Sequence, residues 1–404
     1  MQKKLNVRTA RVCHAGVVNQ AIITNVTALL FVPFLRLYGF TYFQLGMLTA
    51  AGFAAQFSAD IVLLFLIDRI SPDFLAKTAA AMSCLGLAFY GVLPFLFGQE
   101  LYPGIVCATV LFAFAGGMLE VVLSNASDAL PSADGGGLCL LHTMYAWAQV
   151  GLSVYLLAFL AVFGVEAWNY AVLLLTAVPI AVFFLLLRVR LPMRTRCAHV
   201  RSAFRPFYLF AVLAVFFGYG AEVVMNQWIS SFAAEIFNRE EFAAIGCALF
   251  AACLGCGGAW YVRLERRSAR APLGFLVVSA FAASGMYILA ACLQEPVAAL
   301  AAAVLCGLCV GALSPGAMSV ATDFLPQTGG WLLASLALSQ DVGAALLPAV
   351  SGALTQKYEM RIAFLVLSVV PLLAAACLIT MARLRGRQKK REEKERMQNL
   401  TKIP

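Results

Sequence analysis

Charge-free apolar runs dominate this chain of 404 residues and decide what it can become. A helix needs about 20 apolar residues to cross a hydrocarbon core of roughly 30 Å. Residues 12–35, 37–59, 78–98, 101–119, 135–165 and 167–187 hold no Asp, Glu, Lys or Arg, and neither do 242–262, 271–294, 296–322 and 362–382. Two more stretches carry one acid each, 207–234 with Glu222 and 324–356 with Asp341. These are twelve candidate spans, numbered 1 to 12 below. The runs are too long for strands, and barrel strands would alternate with a period of two. Hydrophobic types make up 62% of the chain and charged types 12%, against about 45–50% and 25% in soluble domains. That excludes a soluble enzyme, a disordered chain and a nucleic-acid module. No small-residue cleavage site closes the first run before Arg36, so it reads as a retained span. The 12 cysteines sit mostly within apolar runs, where they act as small hydrophobes.

Orientation follows from the basic residues. With the N-terminus in the cytoplasm, 25 of the 29 Lys and Arg fall on the inner side, and only Arg36, Arg239, Lys357 and Arg361 fall outside. The positive-inside rule then puts both termini in the cytoplasm of a plasma membrane, expected to be a bacterial inner membrane. The net charge of +9 becomes a topology marker and a contact with anionic lipid. The basic loop 188–206 separates an N-terminal six-span bundle, 1–187, from a C-terminal one, 207–384. A charged tail, 385–404, follows.

The halves echo each other at an offset of 195. Span 4 ends in Asp128-Ala129-Leu130-Pro131 and span 10 in Asp323-Phe324-Leu325-Pro326, while Gly116 meets Gly311 and Ser124 meets Ser319. With six spans in each half, the echo predicts two pseudo-symmetric bundles related by an axis along the membrane normal. A cavity at their interface can open to each side in turn.

Acids at membrane depth are costly and face the bundle interior or water. Glu120 in span 4, Glu222 in span 7 and Asp341 in span 11 are the candidates for proton coupling. A carboxyl group withdrawn from water suits reversible proton binding; the competing role is a hydrogen-bonded packing element. Asp60 in span 2 reads as a gate or packing residue. Asn19, Gln20, Asn125, His142, Asn226 and Gln227 are candidate contacts for a polar solute, or hydrogen bonds between helices. Trp147 and Trp228 are candidate stacking surfaces, and Trp228 is equally an interfacial anchor. Trp168, at the outer end of span 6, reads as an anchor. The glycines at 116–117, 255 and 257–258 allow close helix contact. No Walker motif is present, and the Gly-x-Gly patterns do not follow a strand.

At this point the chain, over residues 10–385, resembles the major facilitator superfamily. Gln44-Leu45-Gly46 opens span 2 as in that family. Asp68-Arg69, with Lys77 beyond, resembles its acidic–basic loop, although Ile70 replaces the usual glycine and Ser71-Pro72-Asp73 interrupts the basic run. Arg263 with Glu265-Arg266-Arg267 resembles the second copy. The resemblance implies that Asp68, Arg69, Arg263 and Arg266 lock the cytoplasmic side. Gly116-Gly117-Met118-Leu119-Glu120, followed by Asn125, resembles helix 4 of the fucose/glucose-type proton–sugar symporters, with one extra residue between Glu120 and Asn125. Leu140-Leu141-His142, then Trp147 and Gly151, resembles their helix 5, and Glu222 with Trp228 their helix 7. The resemblance implies that spans 1, 4, 7 and 10 line the path.

The expected function is alternating-access transport of a small polar solute, a sugar or polyol, driven by protons. No other cofactor, no metal and no enzymatic activity are expected, and the partners are the solute and the bilayer, with a monomer as the unit. An exporter of amphiphilic compounds and a non-transporting sensor on the same fold are the alternatives.

Overall fold

The computed structural model describes residues 2–400 except 68, 99, 132–136, 193–204, 240, 268–271 and 326–329. Among the described residues the regular structure is helical throughout, in twelve successive rods. Span 1 is Gln2–Leu29 continued by Phe31–Tyr38, span 2 is Tyr42–Leu66, and span 3 is Pro72–Phe97. Span 4 is Tyr102–Asp128, span 5 is Leu138–Phe163, and span 6 is Trp168–Leu175 with Ala177–Leu186. Span 7 is Arg205–Phe237, span 8 is Glu241–Arg267 and span 9 is Leu273–Cys292. Span 10 is Pro296–Val310 with Leu313–Phe324, span 11 is Gly330–Lys357, and span 12 is Met360–Leu367 with Val369–Leu400. Eleven rods are long and apolar enough to cross a membrane; span 2 carries a shorter apolar stretch, Met47–Leu63.

Local chemistry explains where the rods begin and bend. Thr41 and Gln44 form a reciprocal capping box at the start of span 2, with bonds of 3.1 and 2.8 Å. Ser71 caps span 3 and Glu295 caps span 10, each followed by a proline at the first helical position, where its missing N–H is not needed. Four rods are interrupted, at Leu30, Thr176, Gly311–Ala312 and Ser368. In each case a proline (Pro33, Pro179, Pro315 or Pro371) lies three residues past the last interrupted position. The proline ring crowds the carbonyl four residues back and removes one hydrogen bond. Span 1 starts well before residue 12. Its exposed Lys3, Lys4, Arg8 and Arg11 are good helix formers, so the helix runs on past the apolar stretch.

The buried side chains form two apolar clusters, one built chiefly from residues 12–191 and the other from 207–381. The exceptions all lie on spans 5 and 11. Cys139 of span 5 packs in the C-terminal cluster and Ala334 of span 11 in the N-terminal one, and these residues are 195 apart. Span 5 also packs along span 8, and span 11 along span 2, so two pairs of rods join the halves. Small residues bring them close: a Cβ on Gly255 would lie 3.0 Å from the Trp147 ring, and one on Gly258 would overlap the Thr143 hydroxyl. Trp168 is not an anchor. It is fully buried against Phe34, Tyr38 and Tyr90, and its Nε1 donates to the Tyr38 hydroxyl at 3.2 Å. An indole with aromatic partners and an acceptor for its N–H is well satisfied inside the protein.

Candidate functional site

At mid-depth the seam between the halves is polar, and Glu120 is its centre. The carboxylate is 6% exposed and accepts three side-chain amides. Gln20 of span 1 donates to Oε2 at 2.9 Å, Gln56 of span 2 donates to the same oxygen at 3.0 Å, and Gln340 of span 11 donates to Oε1 at 2.6 Å. The Gln56 amide also reaches Asp341 Oδ1 at 3.3 Å. Ser314 of span 10 donates to the Gln340 carbonyl at 2.8 Å. One network thus ties spans 1, 2 and 4 of the first half to spans 10 and 11 of the second. Hydrogen bonds to a buried ionised group are stronger than neutral ones. Gly117 makes the approach possible, since a Cβ there would lie 2.8 Å from the Gln56 carbonyl oxygen.

Next to this network lies a space lined by Gln20, Thr24, Gln56, Glu120, His142, Tyr145, Tyr219, Glu222, Leu254, Gly311, Pro315 and Gln340. Three pairs of lining positions are 195 apart: Thr24 with Tyr219, Glu120 with Pro315, and Tyr145 with Gln340. The space therefore sits on the pseudo-twofold axis. The break before Pro315 puts Gly311 in the lining. Asn25 donates to the Tyr145 hydroxyl at 2.8 Å, joining spans 1 and 5.

Of the candidate residues, Gln20, Glu120, His142 and Glu222 are brought together around this space. Asp341 stands behind it, one amide away. Asp60, expected at a gate, is instead 2% exposed and faces Asp341 and Glu120, because it lies one helical turn beyond Gln56. The remaining candidates lie elsewhere. Asn19 is fully buried, with no partner for its amide among the described residues, and it is not in the lining. Asn125 donates back to the Val121 carbonyl at 2.8 Å. Asn226 accepts from Gln149 at 3.3 Å. Gln227, the next residue on the helix, is turned to the exposed surface. Trp147 is 42% exposed and lies against Gly255, and Trp228 donates to Ser351 Oγ at 2.6 Å inside the second half. Neither indole covers the space.

Asp68 lies outside the described residues, and Arg69, Arg263 and Arg266 are exposed. Toward the end of the bundle that carries the termini, the halves meet through Thr322, which donates to Asp128 Oδ1 at 3.2 Å, and through the Cys139 thiol, 3.7 Å from the Gly258 carbonyl. Ser319 donates to Glu265 at 2.5 Å nearby. Hydroxyl and thiol contacts join the halves at this end.

The residues missed from sequence are Gln56, Gln340, Tyr145, Tyr219 and Thr24. The 195 offset relates Thr24 to Tyr219 and Tyr145 to Gln340, so applying it to polar residues at depth would have found four of the five.

Two six-helix halves around a polar space on their shared axis define a membrane carrier of the alternating-access type. A family model for the Major Facilitator Superfamily matches residues 14–330 and 300–404, and the chain belongs to that superfamily. Its members are transporters and not enzymes. No curated protein matches the sequence. Among solved structures, the transporter FucP in its outward conformation aligns with a TM-score of 0.72 at 18% identity, covering 92% of this chain and 98% of that one. A second structure of FucP, the E. coli fucose:proton symporter, aligns at 0.70 and 17%, covering 93% and 99%. The proton:xylose symporter XylE, bound to 6-bromo-6-deoxy-D-glucose, aligns at 0.73 and 11%, covering 94% and 96%. At these identities the likeness is one of fold.

Proposed function

We propose that this transporter moves a small, hydroxyl-bearing polar solute in exchange for the free energy of a proton gradient, with Glu120 as the group that takes up and releases the proton. The observation that carries the reading is the convergence of three amides, from both halves, on this one buried carboxylate. Each amide N–H needs an acceptor. Protonating Glu120 turns one acceptor site into a donor and weakens the ties between span 4 and spans 1, 2 and 11. Proton occupancy is thereby coupled to the seam that must part when access changes sides. The gradient acts by differential binding to the two states.

The amide-rich lining supports a solute with several hydroxyl groups, since buried donors and acceptors left unpaired penalise an apolar ligand. The named substrates of the fucose and xylose symporters with the same fold point the same way. The hydroxyl contacts at the terminal end form the inner gate in this reading, with both termini in the cytoplasm and each chain acting as a monomer. The test is a thermal-shift and uptake screen of the purified protein against sugars, amino acids, nucleosides and lipophilic cations at two pH values. A response to hydroxylated solutes that changes with pH is expected. A response to lipophilic cations alone would replace this reading with export.

A further inference from the structure

Charge balance at the centre of the bundle specifies the solute further, on the reading that this space is the solute site. Glu120 and Glu222 both line it, and Asp60 and Asp341 lie within electrostatic reach of Glu120. Against these four carboxyl groups the lining holds no Lys or Arg among the described residues. The charge-free runs leave every Lys and Arg of the chain at span ends or in loops. The two lining acids are not equivalent. Glu120 has its oxygens taken by three amides. Glu222 accepts no hydrogen bond from a described residue, although it sits in the same lining. A carboxylate without a donor in a membrane interior is costly unless it takes up a proton or pairs with a cation, and only the cation keeps its charge in use for recognition.

The surroundings of Glu222 suit an organic cation. Tyr145 and Tyr219 line the same space, and aromatic rings beside a carboxylate make a recognised environment for ammonium groups. His142 is there too, and its Nε2 has no partner among the described residues, so in its neutral form it is a further acceptor. A neutral sugar can hydrogen-bond to the amides and to Glu222 but leaves the charge of Glu222 unpaired. A hydroxylated amine satisfies both.

We propose that the transported solute carries an ammonium group as well as hydroxyls, and that Glu222 anchors the ammonium. An amino sugar or amino alcohol fits this chemistry better than a neutral sugar.

Matched ligands test it. Thermal unfolding of the full-length purified chain is measured with glucose, glucosamine and N-acetylglucosamine, and with ethylene glycol and ethanolamine. Within each set the members share a skeleton, and only glucosamine and ethanolamine carry a positive charge. The amines are expected to stabilise the protein, with a preference over their neutral counterparts of at least about tenfold in apparent affinity. Glu222→Gln should erase that preference, and Glu222→Asp, which keeps the charge, should retain it. An equal or stronger response to the neutral members overturns the proposal, and so does a panel in which no amine responds. A second measurement separates it from the coupling scheme. Amines that bind selectively but accumulate without regard to a pH gradient leave this inference standing and remove proton coupling. A neutral sugar accumulated by a pH gradient does the reverse.

Discussion

Spans 4 and 10 occupy equivalent places in the two halves, yet they bring opposite things to the axis. Span 4 is one unbroken helix, Tyr102–Asp128, and presents a carboxylate at Glu120. Span 10 is two helices, Pro296–Val310 and Leu313–Phe324, and presents a backbone break before Pro315. Pro315 is 195 residues on from Glu120, so a single pair of equivalent positions carries both differences. Duplication supplied the frame and substitution divided the labour. One copy carries the buried carboxylate proposed to exchange a proton, and the other a break in the helix beside the same space.

The comparison can be broken at its strongest point first. Glu120→Gln keeps the size of the side chain and removes the titratable group, and proton-driven uptake should fall by about a hundredfold or more. The paired glycines of span 4 come next. Gly117→Val should cost about 1–3 kcal/mol in thermal stability, because its Cβ meets the Gln56 carbonyl oxygen at 2.8 Å and forces span 2 away. Gly116→Ala should be tolerated, since its nearest neighbour would be Ile23 at 3.5 Å; equal losses at both positions would remove the claimed role of the span 2 approach. Pro315→Ala tests the other copy. Restoring the missing N–H should heal span 10 and raise the melting temperature, while transport slows; faster transport would show that the break is not used as a hinge. The smallest effect is expected from Ser314→Ala, which deletes one hydrogen bond to Gln340 and should cost about 0.5–1.5 kcal/mol.

Much of the frame was readable from the sequence because crossing a bilayer imposes a length and a charge rule. Twelve runs and two halves follow from those rules, and the 195 offset follows from the matched ends of spans 4 and 10. Glu120 was legible as well, because an acid at depth is rare. The interior partners were not. Spans that are apolar all round give no helical phase, so Gln56 could not be told from a lipid-facing polar residue, nor Gln227 from a lining one. Adjacent residues show the problem: Asn226 meets Gln149, and Gln227 is exposed. Trp168 misled for a related reason. Its place at a span end suggested an interfacial anchor, but Phe34, Tyr38 and Tyr90, distant in sequence, gave it a buried home. The helix breaks each precede a proline, yet Pro94 lies inside the unbroken helix of span 3, so a proline alone does not mark a break.

Coupling of a proton to the seam through Glu120 can be separated from merely holding the solute. Proteoliposomes containing wild type or Glu120→Gln separate the two roles. Exchange of labelled for unlabelled solute, with no gradient, reports binding and rocking; accumulation under an imposed pH gradient reports coupling. Glu120→Gln is expected to exchange solute still and to accumulate it no longer. Full gradient-driven accumulation by Glu120→Gln would show that the proton is not coupled through this carboxyl group.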